Sequence, residues 1–211
     1  MNKETTEIIV TQGLGIIKYI NNCLIIKNVV NVFNWPDCEG SIGEYYSVSN
    51  YSIDEKQKLT KNIDFILINN DKKAILSNLK DFLNIFSNAI YSINYSSRDL
   101  KKIMLLKGPE DFIENGTEQE KFYASYYPLD DYDEFYVFTL PQHKINKKRV
   151  DFYKKLIKEG SRPSIITIGN EATKFILDGH HKLEAYYDLG IAAHVFNIMK
   201  LTKEKNEKEE S

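Results

Sequence analysis

Cysteine is scarce in this chain: only Cys23 and Cys38 occur in 211 residues, and they do not form a CxxC pair. No histidine cluster accompanies them, which argues against a thiolate zinc site and leaves a disulfide between them open. Long apolar runs are also missing. The stretch from Leu14 to Phe33 is rich in isoleucine and valine, but Lys18, Asn21, Asn22, Lys27, Asn28 and Asn31 interrupt it. A membrane span needs about 20 predominantly apolar residues, so these segments read as sheet strands. The polar start, Met1 to Glu7, carries no signal peptide. A surplus of positive charge is absent as well, the formal net charge being −2. Nucleic-acid binding, which draws most of its affinity from phosphate neutralisation, is therefore disfavoured. These shortages together point to a cytoplasmic protein with no membrane partner and with reduced thiols.

What is present is material for a core. Hydrophobic residues make up 42% of the sequence, and fourteen tyrosines and eleven phenylalanines supply aromatic packing. The class expected is α+β, with mixed small sheets and packed helices. Strands are predicted at Ile8–Val10, Leu14–Ile20, Leu24–Phe33 and Ile63–Ile68. Pro36 to Asn50 reads as loop. Apolar residues at spacings of three and four from Ala74 to Ile90 predict a helix over 71–92. Tyr91–Ser97 reads as a linker, Arg98–Leu106 as a short helix, and Phe122–Tyr127 as a strand. The acidic run Pro128 to Glu134 suggests a boundary, giving an uncharacterised α+β domain at 1–130 and a second domain at 131–200. The charged tail, 201–211, has nothing to bury. No internal repeat is found.

The second part is easier to parse. Phe135–Leu140 is predicted as a strand, followed by a helix that Asn146 caps and Gly160 stops. Ser164–Ile168 and Thr173–Leu177 form a hairpin around Gly169-Asn-Glu171. Asp178-Gly179 turns into a helix from His180 to Leu189, with Leu183, Tyr186 and Tyr187 inward and Gly190 at its end. Ala193–Ile198 is the last strand. The turn at Gly179 is the informative place. The first turn of a helix offers N–H groups without internal partners and the positive end of the helix dipole. A glycine and a nearby lysine, Lys182, suit that place to a phosphate.

This order of elements, with Ile176-Leu-Asp-Gly-His-His-Lys-Leu-Glu-Ala185 followed by Leu189-Gly190, resembles the ParB/sulfiredoxin-like superfamily over about residues 135–200. The resemblance implies nucleotide-phosphate binding at the helix start. Sulfiredoxins carry their reactive cysteine where this chain has His180, which argues against that activity. ParB proteins carry a helix-turn-helix domain after the module, whereas a short polar run follows Ile198 here. The nearest local motif is the Asp-Gly-His-His-Arg of free serine kinases, from which Lys182 departs. Arginine holds phosphate through a planar fork; lysine is a mobile point charge.

The candidate residues follow. Gly179 lets the backbone approach a ligand, or is a plain turn glycine. Asp178 is a candidate base or magnesium neighbour, or a helix cap. His180 and His181 point in different directions, so at most one faces a phosphate; both are candidates for proton transfer. Lys182 is the candidate for charge neutralisation. Arg162 is a candidate phosphate contact, with a surface arginine as the alternative. Glu184 orients a histidine or is solvated, His143 is a candidate substrate contact, and His194 reads as structural. The cofactor expected is Mg2+ with ATP, ADP or CTP; no resident metal site is expected. The function expected is nucleotide binding, as a small-molecule kinase or nucleotide hydrolase with a small acceptor. The alternative is a non-catalytic regulatory protein that keeps the fold and meets a protein partner through its N-terminal half.

Overall fold

The computed structural model describes residues 5–27, 45, 50–106, 120–123, 131–140 and 145–201, with only the backbone at 120–122. Within them lie ten strands and four α-helices. The strands are β1 (Thr5–Val10), β2 (Ile17–Ile20), β3 (Cys23–Lys27), β4 (Ala89–Arg98), β5 (Ile103–Leu106), β6 (Glu120–Tyr123), β7 (Glu134–Phe138), β8 (Ile165–Gly169), β9 (Thr173–Asp178) and β10 (Ala193–Leu201). The helices are α1 (Ile53–Asn69), α2 (Lys72–Leu83), α3 (Lys147–Lys158) and α4 (His180–Leu189). The fold is α+β.

Seven strands form one mixed sheet in the order β1-β4-β10-β8-β9-β7-β5; β2, β3 and β6 form a small antiparallel sheet. One sheet is thus larger than the small sheets expected. It also runs across the boundary expected near residue 130, since β10 pairs with β4 and β7 pairs with β5. Strand alternation divides the apolar side chains between its two faces. Val137, Phe175, Leu177, Phe196 and Ile198 join the core shared with α1, α2 and the small sheet. Tyr136, Phe138, Ile176, Ala193 and Val195 join the core shared with α3 and α4. The result is a three-layer arrangement with the large sheet in the middle.

Several expectations are corrected. Ile63–Ile68 is not a strand but the end of α1. The β-branched run Ile63-Asp-Phe-Ile-Leu-Ile68 looks extended in isolation. The helix is set ten residues earlier, where Ser52 and Glu55 form a capping box, with Ser52 N donating to Glu55 Oε2 at 2.8 Å. Thr60, Ile63 and Leu67 then form its buried stripe, and Asn70 closes it in the left-handed conformation. The helix expected over 71–92 stops at Leu83. Ala89 and Ile90, which prolonged its apolar stripe, belong to β4. Tyr91–Ser97 is not a linker but the body of β4, an interior strand between β1 and β10. Tyr91 and Ile93 alternate inward, a period-2 signal hidden among serines and asparagines. Arg98–Leu106 holds a short 3-10 turn, Leu100–Lys102, and then β5 rather than an α-helix.

The segment from β7 to β10 follows the expected order throughout. Asn146 Oδ1 accepts from Lys148 N and Arg149 N as the cap of α3, and Gly190 ends α4 at φ 62°. Tyr187 departs from expectation: its side chain is 50% exposed, while Leu183 and Tyr186 are buried. The expected loop at 36–50 lies outside the described residues except for Tyr45 and Asn50, as do Cys38, the acidic stretch 107–116, residues 28–33 and the tail beyond Leu201.

Candidate functional site at the start of α4

β7 and β9 are parallel neighbours, paired from Phe135↔Thr173 to Phe138↔Ile176, so their C-terminal ends lie side by side. Thr139 leaves one end; Asp178 and Gly179 leave the other and enter α4. Gly179 holds φ 97°, a conformation glycine adopts without the steric cost other residues carry. A Cβ placed on it would lie 3.0 Å from Ile165 Cγ1 and 3.3 Å from Ile165 Cα, so the glycine also lets the helix start close against β8. The close approach is to the protein's own strand. No side chain caps α4.

Asp178 follows the inward alternation of β9 and is buried. Its Oδ2 accepts a 2.7 Å charged hydrogen bond from Lys182 Nζ, one helical turn along α4. Lys182 is buried too, its Nζ 5.8 Å from the centre of the Tyr153 ring on α3. Burial, the largest influence, pulls the ammonium pKa down, but the Asp178 carboxylate, aided by Tyr153 and Asp64, more than offsets it and holds the group above the ordinary lysine value. The lysine expected as an accessible phosphate hook is therefore the inner half of a buried ion pair.

His180 is buried beside Thr139. The Thr139 backbone N–H donates to its Nε2 at 3.2 Å, so Nε2 is the unprotonated nitrogen and the neutral ring carries its hydrogen on Nδ1. Thr139 Oγ1 lies 3.1 Å from the same nitrogen while donating to Ile176 O at 2.6 Å. Phe138 packs on the ring at 5.5 Å. Burial drives the imidazole pKa down to about 3, against a smaller upward pull from Asp178. His181 turns the other way and is half-buried; its Nε2 accepts from Asn146 N, the cap residue of α3, at 3.0 Å. The two histidines diverge as expected, and His181 joins the starts of α3 and α4.

No family model, curated protein or solved structure matches this chain.

The structure brings Asp178, Gly179, His180, His181 and Lys182 together and leaves Arg162 aside. Arg162 Nη1 donates to Ile157 O and Ser161 O, capping the carbonyl end of α3. His143 lies outside the described residues. His194 Nδ1 lies 2.7 Å from Tyr95 Oη and 3.1 Å from Asn70 Nδ2, in a polar knot that joins β10, β4 and the end of α1. Sequence reasoning missed Thr139 and Tyr153. Thr139 carried a faint signal, as a hydroxyl placed directly after an apolar strand; Tyr153 gave none beyond its place on the apolar stripe of α3. Among the described residues no helix is long and apolar enough to cross a membrane.

Proposed function

We propose that this corner binds the phosphate of a nucleotide, as the resemblance to the ParB/sulfiredoxin-like superfamily implies. One observation carries the reading. α4 starts at the joined ends of two parallel strands, with a left-handed glycine as its N-cap and no cap hydrogen bond from a side chain. The positive end of the helix dipole then favours an anion. His181, the half-buried histidine of the pair, is the one we assign to contact such a ligand. Lys182, neutralised by its buried pair with Asp178, braces the turn instead of carrying charge to the ligand. Magnesium enters with the nucleotide phosphates rather than in a protein-built cage, because Asp178 Oδ2 is committed to Lys182. ATP, ADP or CTP is the nucleotide, the cytoplasm is the compartment, and a small acceptor completes a kinase or hydrolase reaction.

The engagement of Asp178 favours a second reading, a binding or regulatory protein without turnover, with the N-terminal half free to meet a protein partner. A carboxylate held at 2.7 Å by a buried ammonium is a poor acceptor for a substrate proton. Calorimetric titration with Mg2+ and each nucleotide tests the pocket, and phosphate release from the bound nucleotide separates the two readings. Lys182 is a poor probe, because its loss strands Asp178. His181→Ala is cleaner: it should weaken nucleotide affinity about tenfold, the worth of one charge-assisted contact, while lowering stability by about 1 kcal/mol for the lost acceptor of Asn146 N. Unchanged affinity in that variant, or heatless titrations throughout, would remove the proposal.

A further inference from the structure

The joint between α1 and α2 is tied to the sheet through one histidine. Asn70, in the left-handed conformation, ends α1 and is followed at once by Asp71, the cap of α2. Its side chain reaches the sheet twice. Oδ1 accepts from Ser164 Oγ, just before β8, at 2.7 Å. Nδ2 therefore faces His194 Nδ1, on β10, at 3.1 Å. Tyr95 Oη, on β4, lies 2.7 Å from the same nitrogen. An amide N–H only donates, so Nδ1 is the acceptor and the neutral ring carries its hydrogen on Nε2. Beside these bonds, Ser164 N donates to Leu67 O at 2.8 Å and closes the seam between α1 and the sheet.

A proton on Nδ1 is incompatible with this arrangement. Tyr95 can answer by turning its hydroxyl to accept, but Asn70 Nδ2 then meets N–H with N–H. Rotating the Asn70 amide would present Oδ1 to His194. It would also take the acceptor away from the hydroxyl of Ser164, which is fully buried. One hydrogen bond at the joint is lost either way. The ionisable groups facing the ring are Tyr95 on β4, Lys72 on α2 and Arg162 ahead of β8. Lys72 Nζ sits 3.8 Å over the Tyr95 ring. Burial, and then the charges of Arg162 and Lys72, hold the His194 pKa below its ordinary value. The ring is only half-buried, which leaves it able to titrate without unfolding.

We propose that His194, Asn70 and Ser164 form an acid-sensitive latch: neutral His194 holds the α1–α2 joint against the sheet, and its protonation releases that joint while the sheet stays paired. The neutral ring is the holding form, so the latch is closed above a pH of about 6.5 and opens as the pH falls below it. It shares no residue with the α4 corner and does not depend on nucleotide binding.

The test is hydrogen exchange of the full chain. It compares the protection of Ser164 N–H with that of Phe135 N–H, which donates to Ala172 O at the start of β7. From about pH 7.5 to about pH 4.5 the ratio should fall about fivefold, the worth of one hydrogen bond. Nitrogen NMR of the His194 ring should show the Nε2–H form at neutral pH and a titration that tracks the ratio. His194→Asn keeps an acceptor near the place of Nδ1 and removes the titration, so its ratio should stay flat. The wild-type exchange and NMR carry the test if that variant does not fold. A ratio that stays constant while His194 titrates, or a ring that stays neutral throughout, would overturn the inference. So would an Nδ1–H form at neutral pH, or an undiminished fall in folded His194→Asn.

Discussion

Asp178 and Lys182 show how a surface-looking motif can turn into structure. In the sequence they read as a base and a phosphate hook; in the fold both are buried and bonded to each other at 2.7 Å. Removing one partner of such a pair costs about 3–5 kcal/mol, because the other charge is left buried. Lys182→Met should therefore lower the urea midpoint sharply, and a Lys182→Met, Asp178→Leu double variant should recover much of the loss. His180 gives a second expectation. Its folded pKa, about 3, lies below the ordinary 6.5, so the unfolded chain takes up a proton that the folded chain refuses. Stability is unaffected by this group above pH 6.5. It falls as the pH drops from 6.5 toward 3, by up to about 1.4 kcal/mol per pH unit. His194, whose pKa burial also lowers, acts in the same direction. Denaturant melts across that range should show the slope, and His180→Gln should flatten it.

Helices and strands differ in how plainly they announce themselves. α3, β8, β9, α4 and β10 were legible because each boundary has local chemistry: Asn146 and Gly160 around α3, Gly179 and Gly190 around α4. α1 was misread because the β-branched residues at 63–68 outweighed a cap placed ten residues earlier. Its Ser52–Glu55 pair was the available signal, and Ser52→Ala should cost about 1 kcal/mol, read as a lower thermal midpoint. β4 was hidden for another reason. It lies inside the sheet, yet Ser92, Asn94, Ser96 and Ser97 dilute its apolar alternation; Asn94 bonds to Thr5 on β1 and Met199 on β10. At the start of α4, Gly179→Ala combines a positive φ with a Cβ 3.0 Å from Ile165. It should destabilise by more than about 1 kcal/mol, and trimming Ile165 to valine should not rescue it fully, because the φ cost remains.

The two halves of the sequence looked like separate units, since only the second had recognisable order. The sheet joins them: β4 and β5 flank the strands of the C-terminal segment on both sides. Nothing in the sequence marks a pairing between residues about a hundred positions apart, such as Ser97 with His194, so this feature was not legible. A fragment of residues 131–201 should consequently fail to give a monomeric, cooperatively melting species, which size-exclusion chromatography with circular dichroism would check. The place of β10 has a further bearing on biosynthesis. It is made after both of its neighbours, β4 and β8, yet fits between them. While the ribosome is still adding that strand, two bare backbone edges wait side by side, open to any other nascent polypeptide. Assembly of this protein is then a race between arrival of the keystone and capture by a stranger, and a chaperone that shields such edges would decide the yield.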